Sequence, residues 1–293
     1  MRVSLPLTSL NVRTNLSFKK CSGYNRPKIS ELSFMSLYAW SENGKFSITR
    51  YKDYIVLGTN TKAGWQFLYP LGAGDELRAI STILARHGGI FTALPQALGQ
   101  RLQNDGGFLV ESDRDNADYL YAIDDLATLP GKRYDGKRNL IKKFKARYSY
   151  EYVALTSENL EEVLFFEKRW CTIKECDAIE GLTQERRAIV NMVAYFTDFA
   201  LRGGLIRIKE TIVAAVIAEV LNPETLIIHV LKADPSFEGL YQTITNEFFI
   251  HEGTGFRFAN FEQDMGLASL RKAKLSYHPV ELIDKYNASL LVA

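Results

Sequence analysis

Three apolar runs lie in the stretch LIRIKETIVAAVIAEVLNPETLIIHVL, residues 205–231, and predict consecutive strands. They cover 205–208, 212–221 and 225–231. The last two are joined by Asn222-Pro223-Glu224, whose residue types favour a turn. A helical pattern over 240–251 and a strand pattern over 256–260 follow. The stretch therefore predicts an antiparallel meander, then a helix, then one more strand.

The same order occurs earlier in the chain. Alternating apolar and polar residues predict strands at 46–51, 54–59 and 65–69. A helical pattern begins at Leu77 and ends near Gly88, and strand patterns follow at 107–111 and 119–123. The second half opens with a strand pattern at 150–155 and two helical patterns, the later one after Thr183 as N-cap and stopping at Gly203. The halves share this plan without sequence identity.

This repeated order predicts two domains, residues 1–148 and 149–293. The fold class is α+β, with two tandem GNAT-like (acyl-CoA N-acyltransferase) domains, each a mostly antiparallel sheet flanked by helices. In that acyltransferase fold, the strand before the helix parts from the strand after it. The gap holds an acyl donor, so we expect the functional residues around it.

Composition excludes several classes of protein. The 293 residues carry 36 basic and 34 acidic side chains, so attraction to phosphates must come from local clusters. Cys21, Cys171 and Cys176 contain no CxxC pair, which predicts a reducing compartment and no metal site. No apolar run reaches the ~18 residues of a membrane span, and the start lacks a signal-peptide pattern. We therefore expect a cytoplasmic protein.

Two segments carry a family resemblance. The first contains Asp118-Tyr119-Leu120-Tyr121 and ends in Gly136-Lys137-Arg138-Asn139, and the second is LRKAKLSYHPV, residues 270–280. Both resemble signature segments of the DUF2156 family, which is related to the C-terminal domain of bacterial phosphatidylglycerol lysyltransferases. Similarity continues through 34–40 and 229–248, so it covers most of the chain. The resemblance implies transfer of an aminoacyl group from aminoacyl-tRNA to a lipid headgroup.

Three positions depart from the family pattern. Leu231 stands where an acid is common, Ala218 where glycine is usual, and Phe261 where arginine often precedes Glu262. Each change removes a polar group or fills space near the expected cleft. These positions favour the alternative of a non-catalytic binding protein on an acyltransferase scaffold.

Acyl transfer requires a phosphate-bearing donor to be held. The stretch from residue 132 to residue 148 is strongly basic and has one acid, Asp135, and a second cluster of cations lies at 271–274. Either cluster is equally typical of a solvated surface. The candidate substrate- or phosphate-binding residues are Lys137, Arg138, Asn139, Arg271, Lys272, Lys274, Tyr277 and His278.

Proton transfer and oxyanion stabilisation require further groups. The candidate catalytic residues are Lys232, Tyr241, Glu262 and His229. Asp264 is a further candidate acid, and the position of His229 in a strand is more typical of a packed core histidine. Coenzyme A is normally held by a glycine-rich turn before a helix, but the stretches before the two predicted helices are acidic, with Asp234 and Glu238 in the second half.

The leading hypothesis is therefore an acyltransferase that moves an aminoacyl group onto an amine or hydroxyl. No resident cofactor is expected, and the donor is aminoacyl-tRNA or an acyl-CoA. The expected partners are tRNA and a small-molecule or lipid-headgroup acceptor. CoA-dependent N-acetylation and a non-catalytic binding protein remain the alternatives.

Overall fold

The computed structural model describes residues 8–9, 28–40, 46–175 and 180–291. The elements of the first part of the chain are β1 (Thr8–Ser9), α1 (Phe34–Ala39), β2 (Ser47–Tyr51), β3 (Tyr54–Thr61), β4 (Gly64–Leu68), α2 (Glu76–His87), β5 (Ile90–Pro95), α3 (Gln96–Asp105) and β6 (Phe108–Ser112). Next come β7 (Asp118–Ala122), α4 (Ile123–Thr128), α5 (Asp135–Arg147), β8 (Glu151–Ala154), α6 (Leu160–Lys174), α7 (Glu180–Ala194) and β9 (Arg202–Ile208). The last are β10 (Thr211–Asn222), β11 (Thr225–Ala233), α8 (Leu240–Glu252), β12 (Phe258–Asn260), α9 (Ala268–Leu275), β13 (Glu281–Ile283) and β14 (Lys285–Leu290).

The strands form two seven-stranded sheets, in the orders β1-β2-β3-β4-β5-β14-β6 and β13-β7-β12-β11-β10-β9-β8. Each sheet contains a three-stranded antiparallel meander, followed by a helix and by a strand parallel to the last strand of the meander. The parallel pairs are β4 with β5 and β11 with β12. This repeated topology confirms the predicted α+β class and the tandem GNAT-like fold.

The chain divides into two compact units. The first contains Met1–Asp118, Gln263–Arg271 and Leu282–Ala293, and the second contains Tyr119–Glu262 and Lys272–Glu281. The units therefore divide near residue 118, whereas the sequence pattern predicted a boundary at residue 148. The difference arises because β7 belongs to the second sheet and the C-terminal strand β14 belongs to the first.

Local signals explain why α2 forms where it does. The Asp75 side chain caps the helix by accepting a hydrogen bond from the backbone N–H of Arg78 at 3.0 Å. Ala79, Ile80, Ile83 and Leu84 are buried on one face. Gly88 ends the helix with φ of 67°, a left-handed conformation that costs glycine little. The predicted helix and its end are confirmed.

Three sequence predictions for residues 171–203 differ from the structure. Helix α7 begins at Glu180, so Thr183 lies inside it and is not the N-cap. The helix ends at Ala194, and residues 195–200 form turns instead of continuing it to Gly203. A left-handed Ala200, with φ of 50°, redirects the chain into β9. Cys171 is disulfide-bonded, whereas the sequence favoured a reduced cysteine there. Cys21 and Cys176 lie outside the described residues.

A buried ionic cluster lies in the first unit. Lys285 Nζ lies 2.6 Å from Asp118 Oδ1 and 2.6 Å from Glu31 Oε2. The Lys285 and Asp118 side chains have no exposed surface. Asp118 also accepts hydrogen bonds from the backbone N–H and the hydroxyl of Ser30, at 2.7 and 2.9 Å. One lysine on β14 thus holds together three segments that are distant in sequence.

We expect Lys285→Met to lower the free energy of unfolding by about 3–5 kcal/mol, because it leaves two buried carboxylates without their counter-charge. Urea denaturation measures the loss directly. Lys142→Met, at an exposed position of α5, is the matched control and should change stability by less than about 0.5 kcal/mol. A loss as small for Lys285→Met as for the control would contradict the role of the cluster.

Candidate functional site

The candidate site lies where β11 and β12 part. Their parallel pairing covers three positions, from Thr225 opposite Phe258 to Ile227 opposite Asn260. Strand β11 continues to Ala233, and His229 and Lys232 stand on this extension. The chain after β12 reaches Glu262, whose φ is 56°. The divergence of these two strands predicted from the fold is thus present in the second unit, and His229, Lys232 and Glu262 lie on the segments that border it.

His229 joins the strands that border the opening. Its Nδ1 lies 2.9 Å from Glu262 Oε1, and its Nε2 lies 3.3 Å from Glu219 Oε2 on β10. The imidazole has no exposed surface, whereas 18% of the Glu262 side chain is exposed. Burial lowers the pKa of His229, but hydrogen bonds to Glu219 and Glu262 outweigh it and raise the pKa to about 9. The two carboxylates thus favour the protonated imidazolium, in which both ring nitrogens are donors.

Lys232 is the second buried cation of the site. Its Nζ lies 2.9 Å from Glu167 on α6 and 2.9 Å from Glu185 on α7. The ammonium also lies 3.9 Å from the centroid of the Trp170 ring. Burial raises the pKa of Glu185, against the lowering effect of Lys232. Lys232 is thus fixed by two carboxylates and an aromatic face.

Tyr241 stands in the first turn of α8, beside the same tryptophan. Burial raises the pKa of its hydroxyl, while hydrogen bonds to the Ala233 backbone and to Trp170 lower it. The indole Nε1 of Trp170 in turn donates to the Ala233 carbonyl oxygen at 2.9 Å. A hydroxyl that keeps its proton is suited to donate a hydrogen bond.

The structure therefore brings Lys232, Tyr241, Glu262 and His229 into one unit. Sequence reasoning missed their partners, namely Glu167, Trp170, Glu185 and Glu219. A usable signal was present for Glu219, because an acid inside the apolar run of β10 must find a partner once buried. Glu167 lies on the buried face of α6, which is the same signal in a helix.

The residues of the two signature segments contact each other in the second unit. Lys137 Nζ lies 2.6 Å from Ser276 Oγ and 4.0 Å from the centroid of the Tyr277 ring. The Tyr134 hydroxyl donates to the Tyr277 carbonyl oxygen at 2.9 Å, and His278 Nε2 lies 3.2 Å from the Arg133 carbonyl oxygen. The two signature segments are therefore adjacent in the folded second unit.

Several predicted phosphate-binding cations make other contacts. Arg138 donates to the carbonyl oxygens of Leu129 and Gly131 and pairs with Asp135. Lys274 donates to the Phe261 carbonyl oxygen. Lys272 and Asn139 are exposed. Arg138 and Lys274 thus use their polar groups in local hydrogen bonds and ion pairs.

Arg271 lies in the first unit, whereas the opening between β11 and β12 belongs to the second. Its guanidinium lies 2.8 Å from Asp264 Oδ1 and 2.7 Å from Asp115 Oδ1. Asp264, a further candidate for proton transfer, is buried and also pairs with Arg114 at 3.2 Å. These charges neutralise one another within the first unit.

A shallow, wide-open cleft lies beside the exposed side of the basic helix α5. Its volume is about 450 Å³, and Lys143, Ala146, Arg147 and Glu238 line it. The neighbouring Gly239 precedes α8, and a Cβ there would lie 2.4 Å from the Leu140 carbonyl oxygen. Glycine is therefore required for α5 to approach the turn before α8. The cleft places two cations next to that turn.

The raised pKa of His229 predicts a pH-dependent stability. The unfolded pKa is about 6.5, so the stabilisation is fully present below about pH 6.5 and is lost as the pH rises through about 9. We expect the unfolding free energy to fall over this window, measured by urea denaturation, and His229→Asn to remove that component. His251→Asn, at a half-exposed histidine, should keep it. An unchanged pH profile in His229→Asn would contradict the assignment.

The two sheets define a protein with two tandem GNAT-like domains. Residues 25–289 match the family described as phosphatidylglycerol lysyltransferase, C-terminal, and the chain belongs to that family. The family and the fold indicate an aminoacyltransferase. Within the described residues, no helix has the length and apolar character needed to cross a membrane.

Three proteins resemble this chain in sequence or in fold. A conserved protein of unknown function from Bacteroides thetaiotaomicron is 30% identical, with a TM-score of 0.91 over 98% of this chain and 100% of that one. L-PGS from Bacillus licheniformis is 15% identical, with a TM-score of 0.66 over 94% and 91%, and shows the shared fold. An uncharacterized protein of Mycoplasmoides gallisepticum is 25% identical over 174 residues, 58% of this chain. The match spans 55% of that relative's length.

Proposed function

We propose that the protein transfers an aminoacyl group from a tRNA-borne ester to an amine or hydroxyl acceptor. The observation that carries the proposal is the pair of Glu262 and His229 at the opening between β11 and β12. A carboxylate that is partly exposed and fixed by a buried imidazolium is placed to accept a proton from an incoming acceptor. A tRNA-borne donor also implies a cytoplasmic location.

Each residue of the site has a role in this proposal. Glu262 takes the proton as the acceptor attacks the ester carbonyl carbon, and His229 keeps its carboxylate in position. The Tyr241 hydroxyl donates a hydrogen bond to the developing oxyanion. Lys232 holds Glu167 and Glu185 in place, since its ammonium already has two carboxylate partners. The leaving ribose hydroxyl regains a proton from Glu262.

For the donor phosphates, the contacts favour the outer face of α5 over the residues at its start. Lys143 and Arg147 line the cleft and are exposed, and Lys143 forms a long ion pair with Glu238 at 3.6 Å. Arg138 is bonded to backbone carbonyls. Lysine and arginine that neutralise phosphates release counterions, which makes binding depend on salt. We therefore assign the donor phosphates to Lys143 and Arg147.

The test is a transfer assay with aminoacyl-tRNA and acetyl-CoA as alternative donors and with amine and hydroxyl acceptors, read by mass spectrometry of the product. Aminoacylated product with tRNA alone is the expected result. Product with acetyl-CoA alone would replace the proposal by N-acetylation. Salt-sensitive tRNA binding without any product would instead favour a non-catalytic binding protein. Lys143→Glu with Arg147→Glu should weaken tRNA binding, and Lys168→Glu, at an exposed position of α6, is the control.

A further inference from the structure

A serine and a lysine that the transfer site does not use face each other in the second unit. Lys137 stands on α5, and Ser276 lies in the turn that follows α9. Their Nζ and Oγ atoms are 2.6 Å apart, and both side chains are half-buried. The Tyr277 ring under the ammonium, at 4.0 Å, fixes where the lysine side chain ends.

Lys137 differs from the other buried lysines. Lys232 and Lys285 each lie within 2.9 Å of two carboxylates. In the described part of the chain, by contrast, Lys137 contacts a hydroxyl and an aromatic ring and forms no ion pair with a carboxylate. Burial lowers the pKa of its ammonium, and no carboxylate opposes that effect. Lys137 therefore loses its proton more readily than a surface lysine.

The turn around Ser276 is held firmly. The Tyr134 hydroxyl binds the Tyr277 carbonyl oxygen, and His278, with φ of 54°, contacts the Arg133 carbonyl oxygen. The Ser276 hydroxyl donates to the Ala273 carbonyl oxygen at 2.6 Å. Rotation about the Cβ–Oγ bond is enough to turn this hydrogen toward Lys137 Nζ, and no heavy atom has to move.

An activated nucleophile is a hydroxyl within hydrogen-bond reach of a base, and a third group orients that base. Serine with lysine as its base is one of the recurring forms. We propose that Ser276 and Lys137 form a Ser–Lys dyad that accepts acyl groups from activated esters. This site is separate from Glu262 and does not depend on the proposed transfer reaction.

The reaction has two steps. Ser276 Oγ attacks the ester carbonyl carbon while neutral Lys137 takes its proton. The bond from the carbonyl carbon to the leaving oxygen then breaks, and the alcohol leaves with the proton from Lys137. In the second step, water attacks the acyl-serine and gives a proton to Lys137. The bond to Oγ breaks, and Oγ regains that proton, which releases a carboxylic acid. The net reaction is ester hydrolysis.

The experiment uses p-nitrophenyl acetate as the probe with the full chain. We expect a burst of p-nitrophenol equal to the amount of protein and an acetyl group on Ser276 in the peptide mass spectrum. Ser276→Ala should abolish both, and Lys137→Gln should slow acylation about 10²-fold. Ser157→Ala and Lys142→Gln, at exposed positions of the second unit, should leave the burst unchanged.

The variant Lys137→Arg distinguishes loss of the base from loss of the fold. Arginine keeps the charge and the contact with the ring but does not lose its proton in proteins. We expect an unchanged melting temperature and no burst. A burst that survives in Ser276→Ala, an acetyl group on Lys137 itself, or full activity of Lys137→Arg would each overturn the dyad.

Discussion

Glu262→Gln is expected to lower the rate of aminoacyl transfer about 10²–10⁴-fold, because the amide cannot accept the proton of the attacking group. The substitution keeps the shape of the side chain and a hydrogen-bonding oxygen for His229. Most of the loss should appear in kcat, since the proton moves only as the acceptor attacks. Steady-state kinetics with the donor identified by the transfer assay measures it.

The matched control is Glu224→Gln. Glu224 lies in the turn between β10 and β11, is exposed, and pairs with Arg257 at 2.9 Å. Its loss should leave kcat and KM unchanged. A second readout follows from electrostatics, because Glu262→Gln removes one of the two carboxylates beside His229 and should lower the histidine pKa in an NMR titration. A lowered histidine pKa with unaltered transfer would show that Glu262 is structural.

The elements with strong local patterns could be predicted from the sequence. The meanders, α2 and α8 appear where their periodicity places them, because each buries one regular face. Strand β5, helix α3 and strand β14 were missed. Strand β14 is KYNASL, in which polar and apolar residues alternate as in a strand. Six residues of this pattern do not show that the strand pairs with β5 and β6 on either side.

The site was predictable only in part, for a related reason. His229, Lys232 and Glu262 lie near the ends of predicted strands, where a fold-based argument can find them. Their carboxylate partners come from α6, α7 and β10, and nothing in the spacing of Glu167, Glu185 or Glu219 shows which cation each will meet. Partners of this kind are set by tertiary packing alone. The structure supplied them, and the raised pKa of His229 favours a positioning role for it in the proposed reaction.

Strand β7 comes from the first half of the chain but lies in the second sheet, and strand β14 comes from the second half but lies in the first sheet. We therefore predict that the fragments 1–148 and 149–293 do not fold separately. In the first fragment, β6 loses β14, its partner from Tyr286 opposite Ser112 to Leu290 opposite Phe108. Removal of Lys285 also leaves Asp118 and Glu31 buried without a cation. The first fragment should show no cooperative unfolding in a urea titration followed by far-UV circular dichroism.

The second fragment fails for a complementary reason. Strand β12 loses β7, which it pairs with from Phe258 opposite Ala122 to Asn260 opposite Leu120. The Asn246 side chain, buried in α8, loses the carbonyl oxygens of Leu126 and Ala127, to which it donates at 2.9 and 2.7 Å. When the two fragments are mixed, every one of these contacts is restored, because only the bond after residue 148 is missing. We therefore expect cooperative unfolding from the mixture alone, and a cooperative transition in either fragment by itself would show that the exchanged strands are dispensable.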